Sequence, residues 1–328
     1  MIIDSYGRKM NYLRLAVTDR CNLRCAYCMP AEGLNWLPRK ELMTYEELYR
    51  ICSLFVTMGV GKIRITGGEP FVRKDLVPFL YDLSEIKGLE ELTLTTNGLL
   101  ARQFISDFKK MGIQSINLSL DTLDKDRFYQ ITHRTGLNKV LETMHELIEN
   151  DIGVKINAVV MENKNIEDII PLVQLTENLP VSVRFIEEMP FNGGSHKVSL
   201  KWDYKHISDH IQTQFPAMEK IPDAQNSTSY NYHIPGHQGN IGIIAAYTRL
   251  FCGSCNRIRI TSTGVLRTCL YEAGKLNVKD LMRDGGTDAA LEEVVRQTIM
   301  KKHKDGWEAQ NKLIEHHREQ DSMATIGG

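Results

Sequence analysis

Short β-branched or apolar runs recur along the first 190 residues, separated by longer stretches in which apolar side chains return every three or four positions. The runs Leu13 to Val17, Lys62 to Thr66, Leu92 to Thr95, Ser115 to Ser119, Lys155 to Val160 and Val181 to Ile186 read as strands. Between them, sets such as Leu48, Ile51, Cys52, Phe55 and Val56, or Val140, Leu141, Met144, Leu147 and Ile148, form one apolar face at helical spacing. Strands alternating with helices pair in parallel through right-handed crossovers, in an open sheet or in a barrel. The polar residues decide between the two. Thr18 to Cys28, Gly67-Gly68-Glu69-Pro70, Thr96-Asn97-Gly98, Leu120-Asp121 and Glu187-Glu188-Met189 each follow directly on a strand, and the fifth strand carries Lys155 and Asn157 in a run otherwise fit for a core. Polar groups at successive C-terminal strand ends describe the mouth of a barrel. Six units fall two short of closure, so the expected fold is α/β with an incomplete (β/α)6 barrel of the TIM type.

After about residue 190 the rhythm changes. Phe191-Asn192-Gly193-Gly194-Ser195 signals a loop, helical spacing returns at Tyr204 to Phe215, and Asp223 to Thr228 is a polar break. Strands are expected at Ile241 to Tyr247 and Ile258 to Thr261, then a Ser262-Thr263-Gly264 turn and helices from Val278 onward. The boundary falls at 215/216, with the barrel in residues 1–215 and a smaller α+β domain in 216–328. By composition alone the tail from Ser322 to Gly328 predicts disorder.

Composition narrows the function classes. With 328 residues, 42% hydrophobic and 25% charged, the chain is neither disordered nor fibrous. Its 40 Lys+Arg and 41 Asp+Glu give a formal charge of −1, so no global basic field gathers nucleic acid or anionic membrane, and an anionic ligand must be held by a local site. No run approaches the ~18 apolar residues of a membrane span, and Asp4 and Gly7 interrupt the segment where a signal peptide would be apolar. A cytoplasmic location follows as the expectation, with neither a membrane nor a nucleic-acid partner.

Six of the seven cysteines fall in two tight triplets, unlike a secreted disulfide framework. Cys21, Cys25 and Cys28 are spaced Cys-x3-Cys-x2-Cys directly after the first strand. Structural zinc takes four protein ligands, and no fourth Cys or His is near. A four-iron cluster held by three thiolates keeps one iron open for chemistry. Cys252, Cys255 and Cys269 follow Cys-x2-Cys-x13-Cys, interleaved with Arg257, Arg259 and Arg267; on spacing alone, zinc lacking a fourth ligand stays open here. Cys52 sits on the apolar face of its helix and reads as core. Arg14, Arg64 and Lys155 each stand among apolar neighbours on a strand, where a cation is costly unless paired. Three such residues on parallel strands that share an interior favour an anion site over isolated ion pairs.

The first triplet, with the aromatic Tyr27 before its last cysteine, and the Gly67-Gly68-Glu69-Pro70 turn resemble the radical S-adenosylmethionine superfamily. Within it, Phe251-Cys252-Gly253-Ser254-Cys255-Asn256-Arg257-Ile258-Arg259, Thr268-Cys269-Leu270 and the terminal Gly327-Gly328 resemble the GTP 3′,8-cyclases of molybdenum cofactor biosynthesis, from about Asp4 to Gly328. The resemblance implies two [4Fe-4S] clusters, on Cys21, Cys25 and Cys28 and on Cys252, Cys255 and Cys269. It implies S-adenosylmethionine held by Tyr27, Gly68, Glu69, Ser119 and Met189, and GTP held by Arg14, Arg64, Thr95, Lys155, Arg257 and Arg259. Gly327 and Gly328 are then a tail inserted into the active site, against the disorder that composition suggests, and Arg184 lines the same cavity. Arg267 matches no assigned position and reads as a surface or ion-pair residue. The implied reaction is reductive cleavage of S-adenosylmethionine, hydrogen abstraction from C3′ of GTP and closure of C3′ onto C8. Implied partners are a downstream cyclic pyranopterin monophosphate synthase and an electron donor of unspecified identity, with the enzyme a homodimer. Two rival readings are a two-cluster radical enzyme that modifies a peptide and a non-catalytic zinc or iron-sulfur protein. The former should lack the Arg257/Arg259 pair and the Gly-Gly end; the charge balance opposes a nucleic-acid regulator.

Overall fold

Alternation along the strands sets the architecture. In β1 (Tyr12–Ala16) Leu13 and Leu15 are fully buried, while Tyr12 and Arg14 on the other face are only half-buried. The next strand, β2 (Lys62–Thr66), repeats the pattern with Ile63 and Ile65 against Arg64. The computed structural model describes residues 1–30, 32–191, 200–274, 276–315 and 322–327. Pairing continues in parallel through β3 (Glu91–Thr96), β4 (Ser115–Ser119), β5 (Gly153–Val160) and β6 (Val181–Glu187). Register sets Arg14 beside Arg64, Asn117 beside Lys155, and Asn157 beside Arg184. The expected six-strand core is present, each strand within two residues of its predicted limits.

Helices α1 (Tyr45–Thr57), α2 (Leu76–Ser84), α3 (Ile105–Lys110), α4 (Lys125–Thr132), α5 (Leu137–Glu149) and α6 (Ile169–Asn178) connect the strands. A capping box between Thr44 and Glu47 starts α1, which buries Leu48, Ile51, Cys52 and Phe55. Each such burial contributes about 1.5–3 kcal/mol, and Cys52 belongs to this core.

Beyond β6 the chain forms α7 (Tyr204–Gln214), β7 (Glu219–Lys220), β8 (Ser229–His233), β9 (Asn240–Ile244), β10 (Arg257–Ile260), β11 (Val265–Arg267), β12 (Leu276–Asn277), α8 (Val278–Arg283), α9 (Asp288–Met300), α10 (Gly306–Glu315) and α11 (Met323–Ile326). These strands extend both edges of the barrel sheet: β9 pairs in parallel with β6, and β10 in parallel with β1. Antiparallel strands complete the order β12-β11-β10-β1-β2-β3-β4-β5-β6-β9-β8-β7. The strand expected at Ile241 to Tyr247 stops at Ile244, because the buried Glu187 carboxylate takes the N–H groups of Tyr247 (2.8 Å) and Thr248 (2.7 Å) and turns the chain.

The tail is docked by its contacts over residues 322–327; Gly328 and the loop residues 192–195 lie outside the described residues. Ser322, Ala324 and Ile326 are buried, with Ile326 packed beside Phe191 and Tyr271. Ser322 Oγ donates to the Cys28 carbonyl at 2.6 Å, and the Met323 N–H to Phe191 at 2.8 Å. Tertiary contact thus overrides the local tendency of small residues to disorder. No helix among the described residues is long and apolar enough to cross a membrane.

Candidate active site

Two abutting cavities occupy the mouth of the barrel. The first, of about 1130 Å³, is lined by Cys21, Cys25 and Cys28 together with Gly67, Gly68 and Ser119. The second, of about 1180 Å³, is lined by Arg14, Arg64, Arg184, Arg257 and Arg259, with Cys252, Cys255 and Cys269 at its far wall. Asn157, Ile186, Met189 and Met323 border both. Residues of β1, β2, β5, β6, β9 and β10 meet around the second cavity, which shows how far the sheet curls without its ends pairing.

The first cavity is built by close loop contact. The chain turns at Cys25, whose carbonyl accepts the N–H groups of Cys28 (2.9 Å) and Met29 (3.0 Å). Gly67 has φ +142°, and a Cβ on Gly68 would lie 2.3 Å from the Arg20 carbonyl, so only a glycine pair lets the second loop approach the cysteine loop. Behind the pair, the fully buried Glu69 carboxylate accepts from Thr96 Oγ1 (2.8 Å) and the N–H groups of Asn97 (2.7 Å) and Phe71 (3.2 Å). Burial outweighs these bonds and pushes its pKa up to about 7. Tyr27 donates its hydroxyl to Asp121 at 3.0 Å, and burial lifts that carboxyl to about 6. Burial also raises the thiols, Cys21 to about 11, Cys28 to about 12 and Cys25 well above the ordinary range.

The second cavity concentrates positive charge. Arg14 is held well below the usual arginine range by burial and by Arg259 nearby. Burial, then Arg257, brings Arg259 down to about 10, and burial, then Arg64, does the same for Arg184. Among the described residues the Nε atoms of Arg14 and Arg184 have no hydrogen-bond partner. Clustered guanidiniums with unused donors fit a polyanion. The Tyr12 ring lies 5.4 Å from the Arg64 guanidinium, and although burial raises its phenol, Arg64, Arg14, Lys62 and Arg257 together bring it below the usual value. Arg259 Nη1 donates to the Gly327 carbonyl at 2.8 Å, which ties Gly327 to this arginine set. At Cys255 burial raises the thiol, yet Arg257 and Lys302 outweigh it and hold the pKa near 6; burial keeps Cys269 at about 11.

The thiols also constrain what the cavities accept. All seven cysteines are free. No three His, Cys, Asp or Glu side chains among the described residues converge as one metal ion requires. An iron-sulfur cluster takes each thiolate on a different iron and needs no such convergence, so both triads fit a cluster held by three cysteines.

Most residues singled out in the sequence meet here, with three differences of place. Thr95, expected with the arginines, lines the thiol cavity, its hydroxyl without a partner among the described residues. Lys155 borders neither cavity; its ammonium donates to Ser115 Oγ at 3.2 Å, and burial followed by Arg184 lowers it to about 8. Arg267 is not a surface residue: pairing of β11 with β10 buries it, and it donates to the Glu272 carbonyl at 2.9 Å. Sequence reasoning missed Met323, Tyr271 and Arg249 as cavity residues. Arg249 is 4% exposed at φ +59° and lies between the rings of Tyr271 (3.6 Å) and Trp307 (3.9 Å), partners too distant along the chain to leave a local signal.

A partial parallel barrel with this cysteine loop after its first strand is the architecture of the radical S-adenosylmethionine superfamily. The Radical SAM superfamily model matches residues 15–176, and the Molybdenum Cofactor Synthesis C model matches residues 181–307. A crystal structure of Streptococcus suis SuiB bound to S-adenosylmethionine shares the fold, with TM-score 0.62 at 19% identity over 88% of this chain and 68% of that one. A protein named GTP 3′,8-cyclase from Geobacter sulfurreducens is 40% identical over 100% of this chain and 99% of its own length. Molybdenum cofactor biosynthesis protein 1 of Bos taurus is 41% identical over 92% of this chain and 48% of its own, so the chain spans about half the length of such curated relatives. The chain belongs to the GTP 3′,8-cyclase family.

Proposed function

We propose that this chain is a GTP 3′,8-cyclase, joining C3′ of the GTP ribose to C8 of its guanine in the first step of molybdenum cofactor biosynthesis. The observation that carries the reading is the arginine-lined cavity, with unpaired Nε donors on Arg14 and Arg184, set directly against a three-thiol cavity. The full-length similarity to a protein of that name supports it. When bound, a [4Fe-4S] cluster on Cys21, Cys25 and Cys28 and S-adenosylmethionine supply the hydrogen-abstracting chemistry. The protein's part is to hold reactants and exclude water.

Tyr27, Gly68, Ser119 and Met189 line the space for S-adenosylmethionine, and Glu69 fixes the turn beneath it. Arg14, Arg64, Arg184, Arg257 and Arg259 receive the nucleotide; Lys155, whose charge acts on Arg184, and Thr95, in the adjoining thiol cavity, serve the same ligand in this reading. A second cluster on Cys252, Cys255 and Cys269 closes the far side. Gly327 is held by Arg259, and a part for Gly328 in the reaction belongs to the same reading. Functionally the chain divides at 215/216, the first part carrying one thiol set and the second the other. An electron donor, a cyclic pyranopterin monophosphate synthase as consumer of the product, a homodimeric state and a cytoplasmic location belong to the same reading.

The test is anaerobic incubation of the reconstituted, reduced protein with S-adenosylmethionine and GTP deuterated at C3′. Deuterium in the released 5′-deoxyadenosine is the expected result. Unlabelled 5′-deoxyadenosine at a rate indifferent to GTP would instead point to a peptide substrate.

A further inference from the structure

The three cysteines of the second triad are tied through neighbouring backbone to one turn between α9 and α10. Lys302 in that turn is 4% exposed. Its ammonium donates to the carbonyls of Arg257 (3.2 Å) and Thr268, on the two segments that carry Cys255 and Cys269. Arg8 bridges the remaining cysteine to the same turn, donating to Cys252 (3.0 Å), His303 (2.7 Å) and Lys304 (2.7 Å) carbonyls. Arg8 is neutralised by Asp4 at 2.6 Å, whereas Lys302 has only carbonyl partners among the described residues.

Around the first triad the charges differ. Arg24, only half-buried, donates to the Cys21 carbonyl at 2.8 Å, the Cys28 carbonyl accepts from the neutral hydroxyl of Ser322, and the two buried carboxyl groups of Glu69 and Asp121 stand nearby. At the second triad, by contrast, the buried Glu272, which accepts the Cys269 N–H at 3.1 Å, is set against both Lys302 and Arg257. A buried cation favours an added electron and a buried carboxylate opposes it, because charge interactions are strong where water is excluded.

We propose that Lys302 is a positioning residue that clamps the second thiol set and, as a buried cation, makes the iron-sulfur site there easier to reduce than the first. The inference rests on the reading that both triads hold clusters. It goes further by ranking the two sites and naming the residue that separates them.

The experiment is a redox titration of the reconstituted full chain followed by electron paramagnetic resonance, with iron and labile sulfide measured on each sample. Two reduction waves are expected, and the one at higher potential should be missing from a Cys252→Ala, Cys255→Ala, Cys269→Ala variant. Lys302→Gln should shift that wave to more negative potential and leave the other in place; Lys302→Arg should keep it near its original position. Coincident waves, a higher wave that survives the triple substitution, or a Lys302→Gln protein with both waves unmoved would overturn the proposal. If Lys302→Gln does not load its second site, the comparison of wild type with the cysteine variant still decides the order. Absence of labile sulfide at either triad would overturn the functional reading itself, an outcome the iron and sulfide analysis separates from the others.

Discussion

Glu69 is fully buried, with no ion-pair partner among the described residues, so burial puts its pKa near 7, above the 4.5 of an ordinary glutamate. Between those values the folded chain keeps a proton that the unfolded chain releases. The resulting contribution to stability, on the order of 3 kcal/mol at most, is full below about pH 4.5 and is lost as the pH rises through about 7. Denaturant unfolding of the metal-free protein should therefore show lower stability at pH 7.5 than at pH 5, and Glu69→Gln should flatten the difference. Gly327 gives a second residue-scale prediction. At φ +83° an added Cβ would be strained and would sit 2.5 Å from Thr66 Oγ1 and 3.0 Å from Ala16 Cβ. Gly327→Ala should lower product formation at least ~10-fold, read by chromatography, while iron content stays that of wild type. The cysteines and Arg14 and Arg64 were legible in the sequence because spacing and a two-residue period are local properties. Thr95 and Lys155 were harder to place: both are polar residues on barrel strands, but the level each occupies depends on register with neighbouring strands.

At the scale of elements, the six βα units were readable because each strand and helix carries its own apolar pattern. Attachment of β9 to β6 and of β10 to β1 was not, since parallel pairing between distant segments leaves no local mark. The same limit hid Arg267, whose burial depends on β11 joining β10. Helix α11 is only four residues long and owes its place to tertiary contacts and to its cap. Ser322 Oγ receives the Ala324 N–H at 3.2 Å and donates to Cys28, so one hydroxyl joins the tail to the first thiol loop. Ser322→Ala should cost about 1 kcal/mol of tail docking. Limited proteolysis should then remove the C-terminal segment faster than in wild type, with the barrel fragment left intact.

For the molecule as a whole, near-neutrality conceals an uneven distribution: a chain of formal charge −1 places Arg14, Arg64, Arg184, Arg257 and Arg259 around one cavity. Their mutual repulsion opposes folding until an anion arrives. GTP should raise the thermal midpoint of the protein, and guanosine at the same concentration should raise it much less. Arg184→Met should reduce the GTP-induced rise, because a charge-assisted hydrogen bond contributes about 1.5–3 kcal/mol, while S-adenosylmethionine binding measured by equilibrium dialysis is unchanged.

Pairing of β1 with β10 also bears on biosynthesis. Tyr12–Ala16 is synthesised more than two hundred residues before Arg257 to Ile260, and until that segment has been made one of its edges has no partner. Throughout that interval the nascent chain carries an open row of backbone donors and acceptors beside an apolar face, the kind of edge that recruits strands from other chains. A message broken before the codon for Arg257 therefore yields a protein primed to aggregate, and growth conditions that slow translation of the second half lengthen its exposure.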